Sequence, residues 1–356
     1  MKLPELKIGD LAIKYPIILG AMGVGVTRSG LASAITNAGG LGVISGVNLG
    51  FKEPDFLTNR LEANLRAMRR EIQKAKALSG GGHIGINFMV AMNSYAEHVR
   101  EAVKEGIDFI VSGAGIPTEL PGLVKGSSTK IAPIVSSSKA AALIAKLWDR
   151  NYAVAPDAIV LEGIEAGGHL GFSKEDILEK NYDVFATIEQ IKKVILPYEE
   201  KYNKKIPLIV AGGIFDGKDI AKVIAAGADG VQMATRFVAT PECDAEDSFK
   251  RAYIAAKEED VKIIISPVGM PGRAIQNPLL DKLDIGDKPP IKVCVNCLKT
   301  CDVRTTPYCI SQALVHAVEG NVEDGLIFAG SNVYKVNKMQ TVPEIFKELL
   351  AEAEEY

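Results

Sequence analysis

From residue 16 to residue 237, short apolar runs rich in β-formers alternate with longer stretches in which apolar positions recur every three or four residues. The runs are PIILGAM at 16–22, LGVIS at 41–45, IGINFMV at 84–90, DFIVSG at 108–113, IAPIVSS at 131–137, DAIVLEG at 157–163, PLIVAGG at 207–213 and GVQMATRF at 230–237. So little polar alternation predicts strands buried on both faces. Between them, Leu31, Ile35 and Ala38, then Tyr95, Val99, Ala102 and Val103, then Ile220, Val223 and Ile224 fall at helical spacing. Gly39, Gly106 and Gly227 follow them, where a left-handed C-terminal cap is needed. Eight strand–helix units predict parallel pairing through right-handed crossovers and closure into an α/β fold of the (β/α)8 TIM-barrel class. An open doubly wound sheet is the alternative, but no G-x-G-x-x-G opens the first helix.

The same pattern divides the chain. Residues 1–240 hold the barrel. Residues 241–325 add no ninth unit and predict a lid, with a charged amphipathic helix in PECDAEDSFKRAYIAAKEED and a proline-rich DKPPIKV leading into a group of cysteines. Residues 326–356 predict a C-terminal return whose Val342, Ile345, Phe346 and Leu349 share one helical face, to be packed on the barrel or on a second copy of the chain. The stretch 52–77 predicts a long helix with mixed charges on a solvated face.

Composition narrows the partners. With 47% hydrophobic and 24% charged residues and a net charge of −3, the chain offers no basic field to nucleic acid or to anionic lipid. The start MKLPELKIGD lacks the order of a signal peptide, and no apolar run approaches the ~20 residues of a membrane span, so a cytoplasmic protein acting on a small molecule is expected. Five cysteines, four of them from Cys294 to Cys309, suit ligation or redox chemistry better than a secreted disulfide framework.

A barrel carries its chemistry at the carboxyl ends of its strands. Met22 and Gly23 stand there after the first run, Ser45 after the second, Asn87 in the third, Ser112 and Gly113 in the fourth and Ser136 in the fifth. Glu162 and the loop with His169 follow the sixth, Gly212 and Gly213 the seventh, and Ala234 and Thr235 the eighth. Glycines after strand seven and small residues after strand eight form a backbone cradle suited to phosphate, with the following helix N-terminus favouring an anion; a plain strand-to-helix turn is the bland alternative. Glycines flanking His169 remove side-chain bulk, so a flat cofactor and a substrate can approach the imidazole, a group suited to proton transfer or to holding an anion. A histidine that only caps a surface loop is the competing reading. Glu162 and Glu165 are expected to fix the loop by accepting backbone N–H bonds, and His83, His98 and His316 read as structural. Cys243 has no assigned role.

EGIEAGGHLG, VAGGIFDGKDIAKVIAAGADGVQMATRF and PIILGAMGVGVT resemble the flavin barrels that comprise nitronate monooxygenases (2-nitropropane dioxygenases), NADH:quinone reductases and flavin-type enoyl-acyl-carrier-protein reductases. SPVGMPGRAIQNPL at 266–279 is similar to that family's segment after the barrel. The resemblance implies FMN as cofactor. It implies Met22 and Gly23 along the isoalloxazine, Asn87 at its polar edge, and Gly168, Ala211, Gly212, Gly213, Ala234 and Thr235 on the ribityl-phosphate side. Gly330, Ser331 and Asn332 would return near the ring, and His169 would be the catalytic or substrate-positioning residue. The implied activity is oxidation of alkyl nitronates with dioxygen. A reductase passing hydride from NAD(P)H to a quinone or an enoyl thioester is the alternative, and a flavin- or thiol-based redox sensor without turnover a third.

Cys294, Cys297, Cys301 and Cys309 form a C-x2-C-x3-C-x7-C run. Close thiol pairs on a turn can converge on zinc or an iron–sulfur cluster. The run also resembles the iron–sulfur ligands of another flavin-barrel group, the dienoyl-CoA reductases, with a shorter last interval. Thiols packed under a lid are the alternative.

Overall fold

The computed structural model describes residues 1–356. The chain opens with a hairpin, β1 (Leu6–Ile8) and β2 (Leu11–Ile13), in which Leu6, Ile8, Leu11 and Ile13 are buried. Eight parallel strands follow: β3 (Ile17–Leu19), β4 (Gly42–Ser45), β5 (Ile84–Met89), β6 (Phe109–Gly113), β7 (Lys130–Val135), β8 (Ile159–Glu162), then, after the short β9 (Gly168–His169), β10 (Leu208–Ala211) and β11 (Gly230–Met233). They pair in the order β3-β11-β10-β8-β7-β6-β5-β4. The ring closes where Leu19 N–H donates to Leu41 C=O and Leu41 N–H to Ile17 C=O, both at 2.9 Å. The expected barrel is therefore present, with every run in its expected place. Only the ends differ: GVQMATRF leaves the strand after Met233 and turns through a 3-10 helix at Thr235–Phe237.

The N-terminal hairpin was not foreseen, because two three-residue strands carry too short a pattern to distinguish from a loop. It seals the amino end of the barrel: an added Cβ at Gly230 would lie 3.1 Å from Leu6, and Asp10 pairs with Lys130 at the start of β7 at 2.7 Å. The strand faces, the helices around them and this hairpin share one continuous apolar core. Burying it is the main term that holds the ring together.

Beyond the barrel, the helix Asp247–Ala255 realises part of the charged amphipathic stretch. The lid also contains an unforeseen antiparallel pair, β12 (Val261–Ile265) and β13 (Pro271–Ile275), and β13 pairs with β9, placing Gly272 opposite His169 and Arg273 opposite Gly168. The lid is thus welded to the loop that follows β8. A second, smaller core beneath it gathers Leu279, Leu280, Leu298, Tyr308, Ile310 and Leu326. The last helix, Val342–Glu354, starts with a Thr341/Glu344 capping box and buries Val342, Ile345, Phe346 and Leu349 on the barrel, with Phe346 packed 5.8 Å from Phe237. No helix is long and apolar enough to cross a membrane.

Candidate active site

One cavity of about 430 Å³ opens at the carboxyl ends of the strands, between barrel and lid, within the usual size of a cofactor or small-ligand site. Every residue assigned from the sequence to the cofactor lines it: Met22, Gly23, Asn87, Gly168, Ala211, Gly212, Gly213, Ala234, Thr235, Gly330 and Ser331, together with Asn332 and His169. Segments more than two hundred residues apart meet here. Gly330 N–H donates to Thr235 Oγ1 at 3.0 Å, Ser331 N–H to the Glu165 carbonyl at 3.1 Å, and the Asn332 carboxamide to the Gly213 carbonyl at 2.7 Å.

One side of the cavity is a backbone cradle. The N–H groups of Gly167, Gly213 and Ile214 donate to no group of the chain, and the buried Ser331 hydroxyl has no partner. These free donors fit the oxygens of a phosphate. The helix that follows does not contribute in the way expected. Gly217 N–H is taken by Glu352 at 2.8 Å and Asp219 N–H by Asp216 at 2.8 Å, so carboxylates of the chain already occupy the helix N-terminus. The anion site is the loop. At Gly213, with φ +78°, a methyl group would sit 2.2 Å from a Glu165 carboxylate oxygen; at Gly167 it would sit 2.5 Å from the Ala329 carbonyl carbon. Gly167→Ala should therefore push 329–330 out of register and lower cofactor retention at least tenfold, read as bound chromophore per chain after gel filtration.

The cavity floor is polar in an apolar barrel. Asn87 of β5, Glu162 of β8 and Gln232 of β11 all face it. Gln232 was not singled out from the sequence, although it is the only uncharged polar residue before the turn in an otherwise apolar strand. Glu162 corrects an expectation. Neither its carboxylate nor that of Glu165 accepts a backbone N–H; the loop is fixed by Arg273, whose guanidinium donates to the carbonyls of Ile164 at 2.7 Å and Ala166 at 2.6 Å. Left without a partner, Glu162 is driven by burial from the usual 4.5 up to about 7. An acid whose value is raised in the folded state stabilises fully below pH 4.5 and loses that contribution as the pH rises through 7. Glu162→Gln, measured without cofactor, should flatten this slope. It should leave the variant more stable than the parent at pH 8 by on the order of 3 kcal/mol, with little difference at pH 5.

His169 lies on β9 at the lid side of the cavity. Its Nε2 is 2.8 Å from Ser266 Oγ, its ring stands edge-on to Phe328 at 5.2 Å, and burial lowers its proton affinity to about 4. The imidazole is neutral at physiological pH. His98 is structural as expected, its Nδ1 2.6 Å from the Ser94 carbonyl. The four clustered cysteines are free thiols along the lid, and Cys297 lines the cavity. The structure corrects the expectation of a formed metal site: no three histidine, cysteine, aspartate or glutamate side chains are gathered to hold an ion. Between 287 and 297 the backbone carries no regular structure that would draw the thiols together.

A parallel barrel with a cofactor-sized cavity at the carboxyl ends of its strands, a backbone cradle after strands six and seven and a histidine on the cavity wall defines a barrel enzyme with a small-ligand or cofactor site. The nitronate monooxygenase family model matches residues 5–352, and the chain belongs to that family. It is an oxidoreductase. Among curated proteins it is 28% identical over 311 residues to a probable nitronate monooxygenase of Staphylococcus saprophyticus, covering 80% of this chain and 82% of that protein. It is 27% identical over 278 residues to a 5-hydroxy-7a-methyl-1-oxo-octahydro-1H-indene-4-carboxyl-CoA dehydrogenase of Mycobacterium tuberculosis, covering 78% of this chain and 68% of that one. Among solved structures, FabK from Thermotoga maritima superposes with a TM-score of 0.74 at 25% identity over 96% of this chain and 94% of its own. A nitroalkane oxidase from Streptomyces ansochromogenes superposes with 0.72 at 21% identity, over 96% of each chain, a likeness of fold.

Proposed function

We propose that the protein binds FMN in this cavity and oxidises alkyl nitronates. The observation that carries the reading is one cavity lined by both a partly buried His169 and a cradle of unsatisfied backbone donors. In this reading Gly167, Gly213, Ile214 and Ser331 hold the phosphate, Met22 and Gly23 back the ring system, and Asn87 meets its polar edge. Bound FMN would supply a two-electron acceptor. His169, fixed through Nε2 by Ser266, presents Nδ1 as the free ring nitrogen. In the Nδ1–H tautomer it donates to a nitronate oxygen and orients the anion. A residue that binds a proton only near pH 4 is a weak base at neutrality, so His169 orients a preformed nitronate and does not deprotonate a neutral nitroalkane. Glu162, poised near 7, is the group on the floor able to hold or release a proton at a carboxylate oxygen. The lid, through Leu298 and Met270, together with Phe328 of the C-terminal return, keeps water from the reacting atoms.

Anaerobic mixing tests this. Bleaching of the flavin by an alkyl nitronate without nicotinamide, with the neutral nitroalkane at least tenfold slower, is the expected result. Bleaching by NADH or NADPH alone would overturn it in favour of a reductase. One observation favours that second reading: the lid side of the cavity, with Leu298, Ile310, Leu314, Leu326 and Phe328, is more apolar than a short nitronate needs and suits an acyl chain. The relatives named as a carboxyl-CoA dehydrogenase and as FabK are compatible with it.

A further inference from the structure

The cradle suited to a phosphate lies in acidic surroundings. A methyl group at Gly213 would sit 2.2 Å from a Glu165 carboxylate oxygen, so that carboxylate lies against the cradle, and Glu352 and Asp216 hold the N–H groups of Gly217 and Asp219 at the start of the following helix. Backbone donors satisfy phosphate oxygens but bring no net charge. A phosphomonoester is close to a dianion at neutral pH, yet no lysine or arginine lines the cavity.

Two cations stand behind the wall. Phe215, next to the free N–H of Ile214, lines the cavity, and its ring centre is 4.7 Å from the Arg236 guanidinium carbon and 5.6 Å from Lys335 Nζ. Both cations belong to segments that build the cradle. Arg236 follows Thr235, whose Oγ1 accepts the Gly330 N–H, and Lys335 ends the 3-10 turn Val333–Lys335 that begins directly after Asn332. They differ in what already holds them. Arg236 is mostly buried and pairs at 2.5 Å with Glu348, which also takes Gln340 at 2.6 Å and Lys338 at 3.5 Å. Lys335 pairs with no carboxylate, and its ammonium lies over the rings of Phe215 and Tyr334. With Arg236 and Lys338 it lines a small surface cleft, in which three cations share that one carboxylate. The surplus positive charge stands one aromatic side chain from the unpartnered donors, where a bound phosphate would neutralise it.

We propose that Lys335, backed by Arg236, supplies the positive charge by which the cavity selects a phosphorylated ligand over its dephosphorylated form. The lysine acts through space and not by contact, since it does not line the cavity. An apolar ring, rather than water, fills the space beside the charge, so its field is screened less than across solvent. This rests on the proposal that FMN occupies the cavity, and it names the residue that reads the charge of the FMN phosphate. The Lys335 side chain is exposed, so replacing it leaves the core intact.

The full chain, freed of flavin, is titrated with FMN and separately with riboflavin, and binding is read from the quenching of flavin fluorescence. A unit charge about 10 Å from a dianion in high dielectric changes affinity about fourfold, and reversing the charge applies that factor twice. Lys335→Gln should therefore raise the FMN dissociation constant about fourfold and Lys335→Glu about fifteenfold, while Lys335→Arg stays within about twofold of the parent. Riboflavin has the ring and the ribityl chain but no phosphate, and should bind the parent and all three variants within about twofold of one another. Raising the salt from about 0.05 M to about 0.5 M should weaken FMN binding more in the parent than in Lys335→Glu. The proposal is overturned if Lys335→Glu binds FMN within twofold of the parent. It is equally overturned if riboflavin loses affinity by the same factor as FMN, which would make the lysine a support of its loop and not a reader of charge. Both of those results leave FMN in the cavity. Failure of the parent to bind either flavin would overturn the cofactor reading, and this inference with it.

Discussion

Replacing Arg273 by methionine should loosen the whole β8–β9 loop and lower stability by about 2–5 kcal/mol, the cost of leaving two buried carbonyls without a donor at roughly 1–3 kcal/mol each. Arg273 is 7% exposed, and its guanidinium donates to two carbonyls of the loop that ends in His169. Methionine keeps most of the stem but leaves the carbonyls of Ile164 and Ala166 without a donor. The loop then loses its tie to β13, while the β9 ladder that presents His169 has only two residues with which to resist. Thermal unfolding of the cofactor-free protein reads the stability, with a fall of roughly 5 °C expected for a chain of this size. Flavin retention should drop at least tenfold, because Gly167 and the Glu165 carbonyl that holds Ser331 belong to the same loop. Arg273→Lys should recover part of both losses, since an ammonium reaches one carbonyl more readily than two. Unchanged melting and flavin content in the methionine variant would show that β9 pairing alone fixes the loop.

The same residue marks the limit of what the sequence discloses. The barrel was legible because its strands are buried on both faces, so each run is uniformly apolar, and because the strand–helix alternation leaves one sensible closure. The cavity was legible from the rule that chemistry sits at the carboxyl ends of strands, and the residues picked on that rule and on the family resemblance do line it. What stayed hidden depends on contacts between distant segments. Arg273 reads as one basic residue among 41, and nothing local says that it turns inward to the carbonyls of 164 and 166. Glu162 suggested a loop-fixing carboxylate, because a carboxylate at a strand end usually finds N–H partners; only the structure shows that those partners are absent and that burial controls it. The β12–β13 pair was masked because VKIII and PGRAI are separated by a proline- and glycine-bearing turn inside what composition presents as a loop-rich lid.

His169→Asn should keep the flavin and lower turnover of an alkyl nitronate by roughly 10²-fold or more, the range expected when a positioned hydrogen-bonding or proton-handling group is lost. Asparagine retains a donor of similar reach but cannot keep the pairing of Nε2 with Ser266 while presenting a second nitrogen to the substrate. Because the imidazole is neutral down to about pH 4, the parent's rate should show no limb near 6.5 and should fall only on the acid side of about 5, and the variant should lack that fall. The stability sign follows the same shift. A histidine whose value drops on folding destabilises as the pH falls from 6.5 through 4, since the unfolded chain binds the extra proton, so the variant should be less acid-sensitive than the parent in that window. Ser266→Ala gives the complementary measurement. It leaves the ring in place but frees Nε2, so the Michaelis constant for the nitronate should rise several-fold while the maximal rate falls less than in the asparagine variant. Full turnover in His169→Asn on every accepted substrate, with flavin bound, would remove the histidine from the mechanism and leave the unpartnered Glu162 as the group on the cavity wall to which the proton chemistry must be assigned.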